Sequence, residues 1–212
     1  MSSPGTTPAA RSGRPGRVRW RRFAYIAVPS FVVTGTLLGL TAGGALASSF
    51  SISGQQFEVS ADALHGTGFQ QFGTVDQTAA KKPVVVAESE IGSARITNLC
   101  QSVVTSIPGL GDFTLRITAG SGGTPVKASS LVIDANQLSG SVATFHQINI
   151  GQDASTLNAV SGVPQGIAGQ FGQQASSIDI TNLHQVAYST SAGTFTLPGF
   201  GLHLSSGNNP CF

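Results

Sequence analysis

Charged side chains are scarce in this sequence, and their distribution is uneven. They make up 9% of the 212 residues, and six of the eleven basic residues lie at or before Arg22. From Ser48 onward the chain has five basic and nine acidic residues, a balance of −4. The net charge of +2 therefore belongs to the N-terminus. Because the rest of the chain lacks a basic surface, we expect no nucleic-acid partner.

Sequence motifs of the common enzyme classes are missing as well. The chain has no G-x-S-x-G, no H-E-x-x-H, no P-loop and no G-x-G-x-x-G after a strand. Residues 111–114, "GDFT", are similar to the start of a GDSL esterase block, but Phe113 stands at the serine position. Phenylalanine cannot act as the nucleophile. The motifs therefore identify no catalytic residue.

Histidine is present at only four positions, His65, His146, His184 and His203. Their separations of 81, 38 and 19 residues match no local metal-ligand spacing. We therefore predict no metal site and no cofactor. A Ser/His/Asp triad stays open, because such triads are recognised by geometry and not by order along the chain.

The N-terminus has the features of an export segment. Residues 1–22, which end in a basic cluster, are expected to be disordered, and the uncharged apolar residues 23–47 are expected to form one hydrophobic helix. Ala45 and Ala47 before Ser48 fit a signal-peptidase site. The alternative is an uncleaved membrane anchor, since a span needs roughly 20 residues. Either way we expect an extracytoplasmic protein, secreted or anchored to the cell membrane.

Two sequence patterns recur in the remainder of the chain, residues 48–212. "ITNLCQ" at 96–101 returns as "ITNLHQ" at 180–185, and the spacing of "FEVSADALHG" at 57–66 returns in "LVIDANQLSG" at 131–140. We interpret this as a duplication with halves at about 50–121 and 124–204. Each pattern begins with apolar residues two apart, as on one face of a strand.

This alternation and the abundance of Gly, Ser, Val, Ile and Thr predict an all-β fold. An internally duplicated antiparallel β-sandwich in a single domain follows, because each half has a sheet face to bury against the other. A short β-solenoid is the alternative. Helical periodicity is weak, and its best candidates are residues 99–104 and part of 156–175.

Cysteine occurs only twice, as Cys100 and Cys211. An exported chain meets an oxidising compartment, so an even number of cysteines predicts a disulfide. Cys211 would then attach the C-terminal tail to the first hexapeptide. We expect His184 at the matching position of the second hexapeptide because there is no second tail to attach.

Two further groups of residues have simple interpretations. Lys81 and Lys82, with Glu88 and Glu90 close by, are expected to form a solvated linker. The phenylalanines recur near the repeated patterns and are expected to fill the core, with the lining of an apolar ligand cavity as the alternative. They are Phe57, Phe69, Phe72, Phe113, Phe145, Phe171, Phe195 and Phe200.

Several longer stretches resemble a known family. They include "RVRWRRFAYIAVPS" at 17–30, "NLCQSVV" at 98–104 and "GDFTLRITAG" at 111–120. The chain is similar to an actinobacterial family of exported or membrane-anchored proteins that carry a domain of unknown function. Members often bear the label "cholesterol esterase". The resemblance implies export, and it maps no catalytic residue onto this chain.

The sequence therefore leaves two functions open. The leading hypothesis is a non-catalytic β-domain of the cell envelope that binds a partner protein or an apolar ligand such as a lipid. The competing hypothesis is a lipid or sterol ester hydrolase. A serine hydroxyl, a histidine ring and a carboxylate within hydrogen-bond reach beside an apolar pocket would favour the enzyme.

Overall fold

The computed structural model describes residues 52–212, which belong to one compact unit, Leu46–Phe212. The expectations for residues 1–22 and 23–47, including cleavage between Ala47 and Ser48, lie outside the described residues. Within residues 52–212 no helix has the length and hydrophobicity needed to cross a membrane.

The described chain is built of ten β-strands and one short 3₁₀ helix. The strands are β1 (Phe57–Gln77), β2 (Pro83–Thr97), β3 (Leu99–Ile107), β4 (Gly111–Ala119), β5 (Val126–Ser139), β6 (Val142–His146), β7 (Asn149–Asp153), β8 (Phe171–Ser191), β9 (Thr194–Thr196) and β10 (Gly201–Ser206). The 3₁₀ helix is Ala154–Thr156. All pairings between these strands are antiparallel, so the predicted all-β class is confirmed.

The ten strands belong to a single sheet, in which β1, β2, β5 and β8 close into a ring. The strand order is β10-β4-β3-β1-β2-β5-β8-β6, and a further pairing of β8 with β1 completes the ring. Closure removes most of the unpaired strand edges that an open sheet would expose. On one side the sheet continues from the ring as β3, β4 and β10.

The predicted sandwich and the alternative solenoid both differ from this arrangement. The strands form one hydrogen-bonded sheet, where a sandwich has two sheets packed face to face. The core lies inside the closed part of the sheet. It contains, among others, Leu64, Phe69, Ile91, Ile96, Leu99, Leu131, Ile178, Ile180 and Leu183. Residues 99–104, one of the two helical candidates, lie in β3.

The two copies of the repeated hexapeptide lie on opposite sides of β1 in the same register. Leu64 of β1 is opposite Ile96 on one side and opposite Ile180 on the other. Both asparagines of the hexapeptides have left-handed backbone conformations, with φ of 51° at Asn98 and 48° at Asn182. Asparagine tolerates this conformation better than most residues.

At each asparagine the alternation of buried and exposed side chains along the strand shifts by one residue. Leu64 and Ile96 face the core on one side of Asn98, and Ala61 and Leu99 face it on the other. A break of this kind is typical of a β-bulge, which turns the following side chains to the other face. In both hexapeptides, therefore, an asparagine in the left-handed conformation changes which face of the strand is buried.

The longer repeat does not follow the same register. Val59 lies opposite Gln101, whereas the residue of β5 opposite Gln185 is Leu138 and not Ile133. Val59 and Ile133 therefore do not occupy matching places relative to the two hexapeptides. Duplication of the complete halves 50–121 and 124–204 stays a prediction.

The predicted disulfide is present and holds the C-terminal tail. Cys100 and Cys211 are bonded, with their Cα atoms 5.9 Å apart. The Cys211 amide donates to Ser102 Oγ at 2.9 Å, and the Arg116 guanidinium donates to the carbonyls of Asn209 and Pro210. The tail thus covers one face of β3 and β4.

Candidate functional site

A cleft of about 540 Å³ with mostly apolar walls lies between the ring and the β3–β4–β10 extension. We call it the apolar cleft. It is lined by Ile52, Ser53, Phe57, Leu99, Gln101, Ile117, Tyr188, Ser189, Thr190, Ser191, Ala192, Phe195 and Leu197. Its volume lies within the ordinary range of small-molecule sites, roughly 300 to 1,000 Å³.

Several elements distant in sequence build this cleft. Leu99 and Ile117 come from the neighbouring strands β3 and β4, while Phe195 comes from β9, which pairs with β5. The segment before β1 is tied to β3, because the Gln55 side-chain amide donates to the Val104 carbonyl at 2.6 Å. This tie holds Ile52 and Ser53 in place as part of the wall.

The closed part of the sheet offers little space of its own. The cavity among the core side chains Val59, Leu64, Ile133 and Leu183 measures only about 30 Å³. Such a volume is close to that of one water molecule. The ring itself therefore has no room for an apolar ligand, whereas the apolar cleft does.

A second cavity of about 230 Å³ lies beneath the connection between β7 and β8. We call it the acidic pocket. Its lining residues are Ile52, Phe72, Thr74, Val75, Asp76, Glu88, Val132, Asp134, Pro164, Gln165 and Ser191. Three of them are carboxylic acids from three strands. The register explains their proximity, because Glu88 of β2 lies directly opposite Asp134 of β5 and opposite Phe72 of β1.

A fourth acid, Glu90, is fully buried beside this group. Its Oε2 accepts from the Gln70 side-chain amide, and Gln70 Oε1 in turn accepts from the Val160 amide at 3.1 Å. Gln70 thereby connects the acids to the loop that covers them. Asp134 Oδ2 accepts from the Ser189 hydroxyl at 2.7 Å.

Each of the four acids keeps one buried oxygen that accepts no hydrogen bond from an N–H or hydroxyl group of residues 52–212. These atoms are Asp76 Oδ2, Glu88 Oε1, Glu90 Oε1 and Asp134 Oδ1. Glu88 and Glu90 hydrogen-bond to each other when one of them is protonated. The ion pairs in residues 52–212 involve only His65 and His146 with Asp179, so no basic side chain in this part of the chain pairs with the group. A buried carboxylate with neither a cation nor a full set of donors is destabilising.

The pKa values of all four acids are raised accordingly. Burial raises the pKa of Asp76 to about 6, with a further contribution from the charge of Asp134. Burial also raises the pKa of Glu88 to about 7 and that of Glu90 to about 8. The pKa of Asp134 is raised by burial too, against a hydrogen bond from Ser189 that lowers it. The group therefore holds protons close to neutral pH.

The apolar cleft and the acidic pocket adjoin. Ile52 and Ser191 line both cavities, and Ser189 of the cleft donates to the Asp134 carboxylate of the pocket. Ile52 is itself buried and forms an isolated bridge with Thr78. The cleft therefore lies next to the pocket that Asp76, Glu88 and Asp134 line.

A histidine–carboxylate group lies elsewhere, on an exposed face of the sheet. His65 Nδ1 is 2.6 Å from Asp179 Oδ1, and His146 Nε2 is 3.4 Å from Asp179 Oδ2. Hydrogen bonding by His65 lowers the pKa of Asp179. Within residues 52–212 no serine hydroxyl hydrogen-bonds to either ring. The arrangement therefore contains two members of a triad and lacks the nucleophile.

Neither cavity combines the groups that ester hydrolysis would need. The lining of the apolar cleft includes no histidine and no carboxylate. The acidic pocket includes carboxylates and no histidine. In the part of the chain from residue 52 onward, no three His, Cys, Asp or Glu side chains are arranged to hold a metal ion.

Comparison with known proteins gives a family and no function. The sequence profile of DUF6230, a family of unknown function, matches residues 53–212. The chain belongs to this family. No curated protein and no solved structure matches the chain significantly. The family match agrees with the domain of unknown function that the sequence motifs indicated, and it adds no substrate or partner.

Of the sequence-based expectations for the site, the disulfide is confirmed and the solvated linker at Glu88 and Glu90 is wrong. Cys100 and Cys211 are joined as predicted, and Phe57 and Phe195 line the apolar cleft, which fits the cavity alternative for the phenylalanines. The expectation for Glu88 and Glu90 was wrong. They lie buried in β2 and not in a solvated linker. The spacing E-x-E, which puts both acids on one face of a strand, was the available signal.

Proposed function

We propose that this protein is an extracytoplasmic β-domain of the cell envelope that binds an apolar ligand in the apolar cleft. The observation that carries the proposal is the cleft itself, about 540 Å³ in volume and walled by Phe57, Leu99, Ile117, Phe195 and Leu197. Exposed apolar surface of this kind commonly marks a binding site. Phe195 is 39% exposed, so part of its ring is available to a ligand.

The extracytoplasmic location is supported by the disulfide, since such bonds persist mainly in oxidising compartments. The uncharged run at residues 23–47 supports it from the sequence. Under this proposal that run is a cleaved signal or a membrane anchor. The domain itself then faces the exterior.

A binding function is preferred to ester hydrolysis because of what surrounds the cleft. The histidine–carboxylate group of His65, His146 and Asp179 does not line it, and within residues 52–212 no serine hydroxyl hydrogen-bonds to the two rings or to the carboxylate. The cleft therefore offers apolar contact and no positioned nucleophile and base.

The test is binding of the neutral fluorophore N-phenyl-1-naphthylamine to purified residues 46–212, the compact unit that contains the whole described core. We expect saturable binding that weakens about tenfold in Phe195→Ser and in the cleft-filling variant Ala192→Trp. Phe171→Ser is the matched control, because Phe171 is 60% exposed and does not line the cleft. Equal affinity in all three variants would place the probe elsewhere and refute the proposal.

A partner protein is the other possible occupant of this surface. β10 is the last strand of the sheet order, and its Leu202 and Leu204 are exposed. An edge strand with exposed apolar side chains can accept a strand from another protein. If the fluorophore shows no saturable binding, the apolar-ligand proposal fails and this edge becomes the leading candidate.

A further inference from the structure

The position of the acidic pocket beside the apolar cleft bears on the class of ligand. The two cavities share Ile52 and Ser191 as walls. The hydroxyl of Ser189, which lines the cleft, donates to the Asp134 carboxylate, which lines the pocket. The two cavities are therefore neighbours, and an elongated molecule that passed between Ile52 and Ser191 would meet different chemistry at each end.

The acidic pocket has the electrostatic character of a site that binds positive charge. Glu88 and Asp134 line it, each is only 8% exposed, and each has an oxygen that accepts no hydrogen bond within residues 52–212. Asp76 and Glu90 add two more such oxygens. Buried carboxylates normally have a cation or several donors as partners. These observations point to a ligand that supplies positive charge and N–H donors.

The neighbouring elements contain no residue that already fills this role. The loop at residues 154–170, the segment 52–56 and the end of β8 at residues 189–191 contribute no titratable side chain. Lys81 and Lys82 in the turn between β1 and β2 are exposed and form no ion pair with the acids. The titratable groups that face one another in the pocket are therefore all carboxylic acids.

We propose that the ligand is a cationic amphiphile, with its hydrocarbon part in the apolar cleft and a primary ammonium group in the acidic pocket. This inference rests on the proposed function of the cleft. An ammonium group has three N–H donors and one positive charge, which match several acceptor oxygens around a small cavity. A metal ion fits less well, because the acids of residues 52–212 are not arranged as a set of metal ligands.

The experiment compares three ligands of one chain length, decylammonium, decanol and decanoate, each below its micellar concentration. Displacement of the fluorophore from residues 46–212 at pH 8 is measured. We expect decylammonium to bind about tenfold more tightly than decanol, and decanoate to bind most weakly. In the double variant Glu88→Gln/Asp134→Asn the preference for decylammonium should disappear. Asp112→Asn, an exposed acid outside the pocket, is the matched control.

A second readout uses the unaltered protein and does not depend on how the variants fold. The preference for decylammonium over decanol should increase from pH 6 to pH 8, because Asp76 and Glu88, with pKa values of about 6 and 7, become charged over that range. An aliphatic amine stays protonated throughout, as lysine does. A preference that is absent or independent of pH, with decanol still bound, would overturn this inference and leave the apolar-ligand proposal intact. Failure of all three ligands to bind would remove both.

Discussion

The ring of Phe212 stacks on the ring of His184, with the centroids 4.3 Å apart and the planes 8° from parallel. The preceding residue, Cys211, is bonded to Cys100. Ser60 of β1 lies opposite Cys100 on one side and opposite His184 on the other. Consecutive residues of the tail therefore contact the corresponding positions of the two hexapeptides, one by a covalent bond and one by stacking.

This relationship explains the single difference between "ITNLCQ" and "ITNLHQ". We expected His184 at the matching position because there is no second tail to attach. The structure adds that the same tail reaches both copies. Cysteine at position 100 forms the covalent attachment. Histidine at position 184 presents a flat ring to the terminal phenylalanine.

The first prediction concerns the disulfide. Cys211→Ser should lower the free energy of unfolding of residues 46–212 by about 2 to 5 kcal/mol, because the bond restrains the unfolded chain. Urea unfolding of oxidised protein measures the change. A reducing agent should lower the stability of the unaltered protein to a similar value and leave the variant unchanged. Equal stability of oxidised wild type and variant would contradict the role assigned to the bond.

The second prediction concerns the stacked pair. Phe212→Ala should cost about 0.5 to 1.5 kcal/mol, the range found for aromatic pairs, while Phe212→Tyr should cost little. A double-mutant cycle with His184→Ala isolates the pair. If the two alanine substitutions are additive, the stack contributes nothing to stability.

The third prediction concerns the left-handed asparagines. Asn182→Gly should be tolerated, because glycine adopts a φ of 48° without strain. Asn182→Ala should cost about 1 to 2 kcal/mol, since alanine lacks the short polar side chain by which asparagine tolerates that conformation. Thermal unfolding of the two variants gives the comparison. Equal loss in both would attribute the role of Asn182 to its side-chain hydrogen bond with the Ser141 hydroxyl and not to its backbone.

The fourth prediction concerns pH. The folded-state pKa values of Asp76, Glu88, Glu90 and Asp134 are raised above the unfolded values, so the folded state binds more protons. The free energy of unfolding should therefore decrease as the pH rises from about 5 to about 8. Urea midpoints at these two pH values measure the change, and Glu90→Gln should reduce it. A midpoint that increases with pH would contradict the raised pKa values of these buried acids.

The sequence predicted the strand content and the disulfide because the first depends on local patterns and the second on the number of cysteines. Apolar residues two apart, as at Phe57 and Val59, mark the face of a strand, and an even number of cysteines in an exported chain indicates a bond. The same signals could not show how the strands close. Alternation tells which face is buried and does not tell which strand pairs with which.

The acidic pocket could not be predicted for a related reason. Glu88 and Glu90 lie near Lys81 and Lys82 in sequence, which suggests mutual neutralisation in solvent. Their burial depends on Asp134 of β5 and on the loop at residues 154–170, which are more than 40 residues away. Contacts this distant in sequence leave no local pattern. The apolar cleft likewise combines β3, β4, β8 and β9, and only the phenylalanines hinted at it.

The most direct test of the central claim is to locate a bound apolar chain. A decanol analogue with a terminal diazirine would be photolysed with residues 46–212, and the labelled peptides identified by mass spectrometry. We predict saturable labelling of the segments that contain Ile117 and Phe195, which line the apolar cleft, and loss of that labelling in Ala192→Trp. Labelling that does not saturate, or that falls on other segments and persists in Ala192→Trp, would contradict the account.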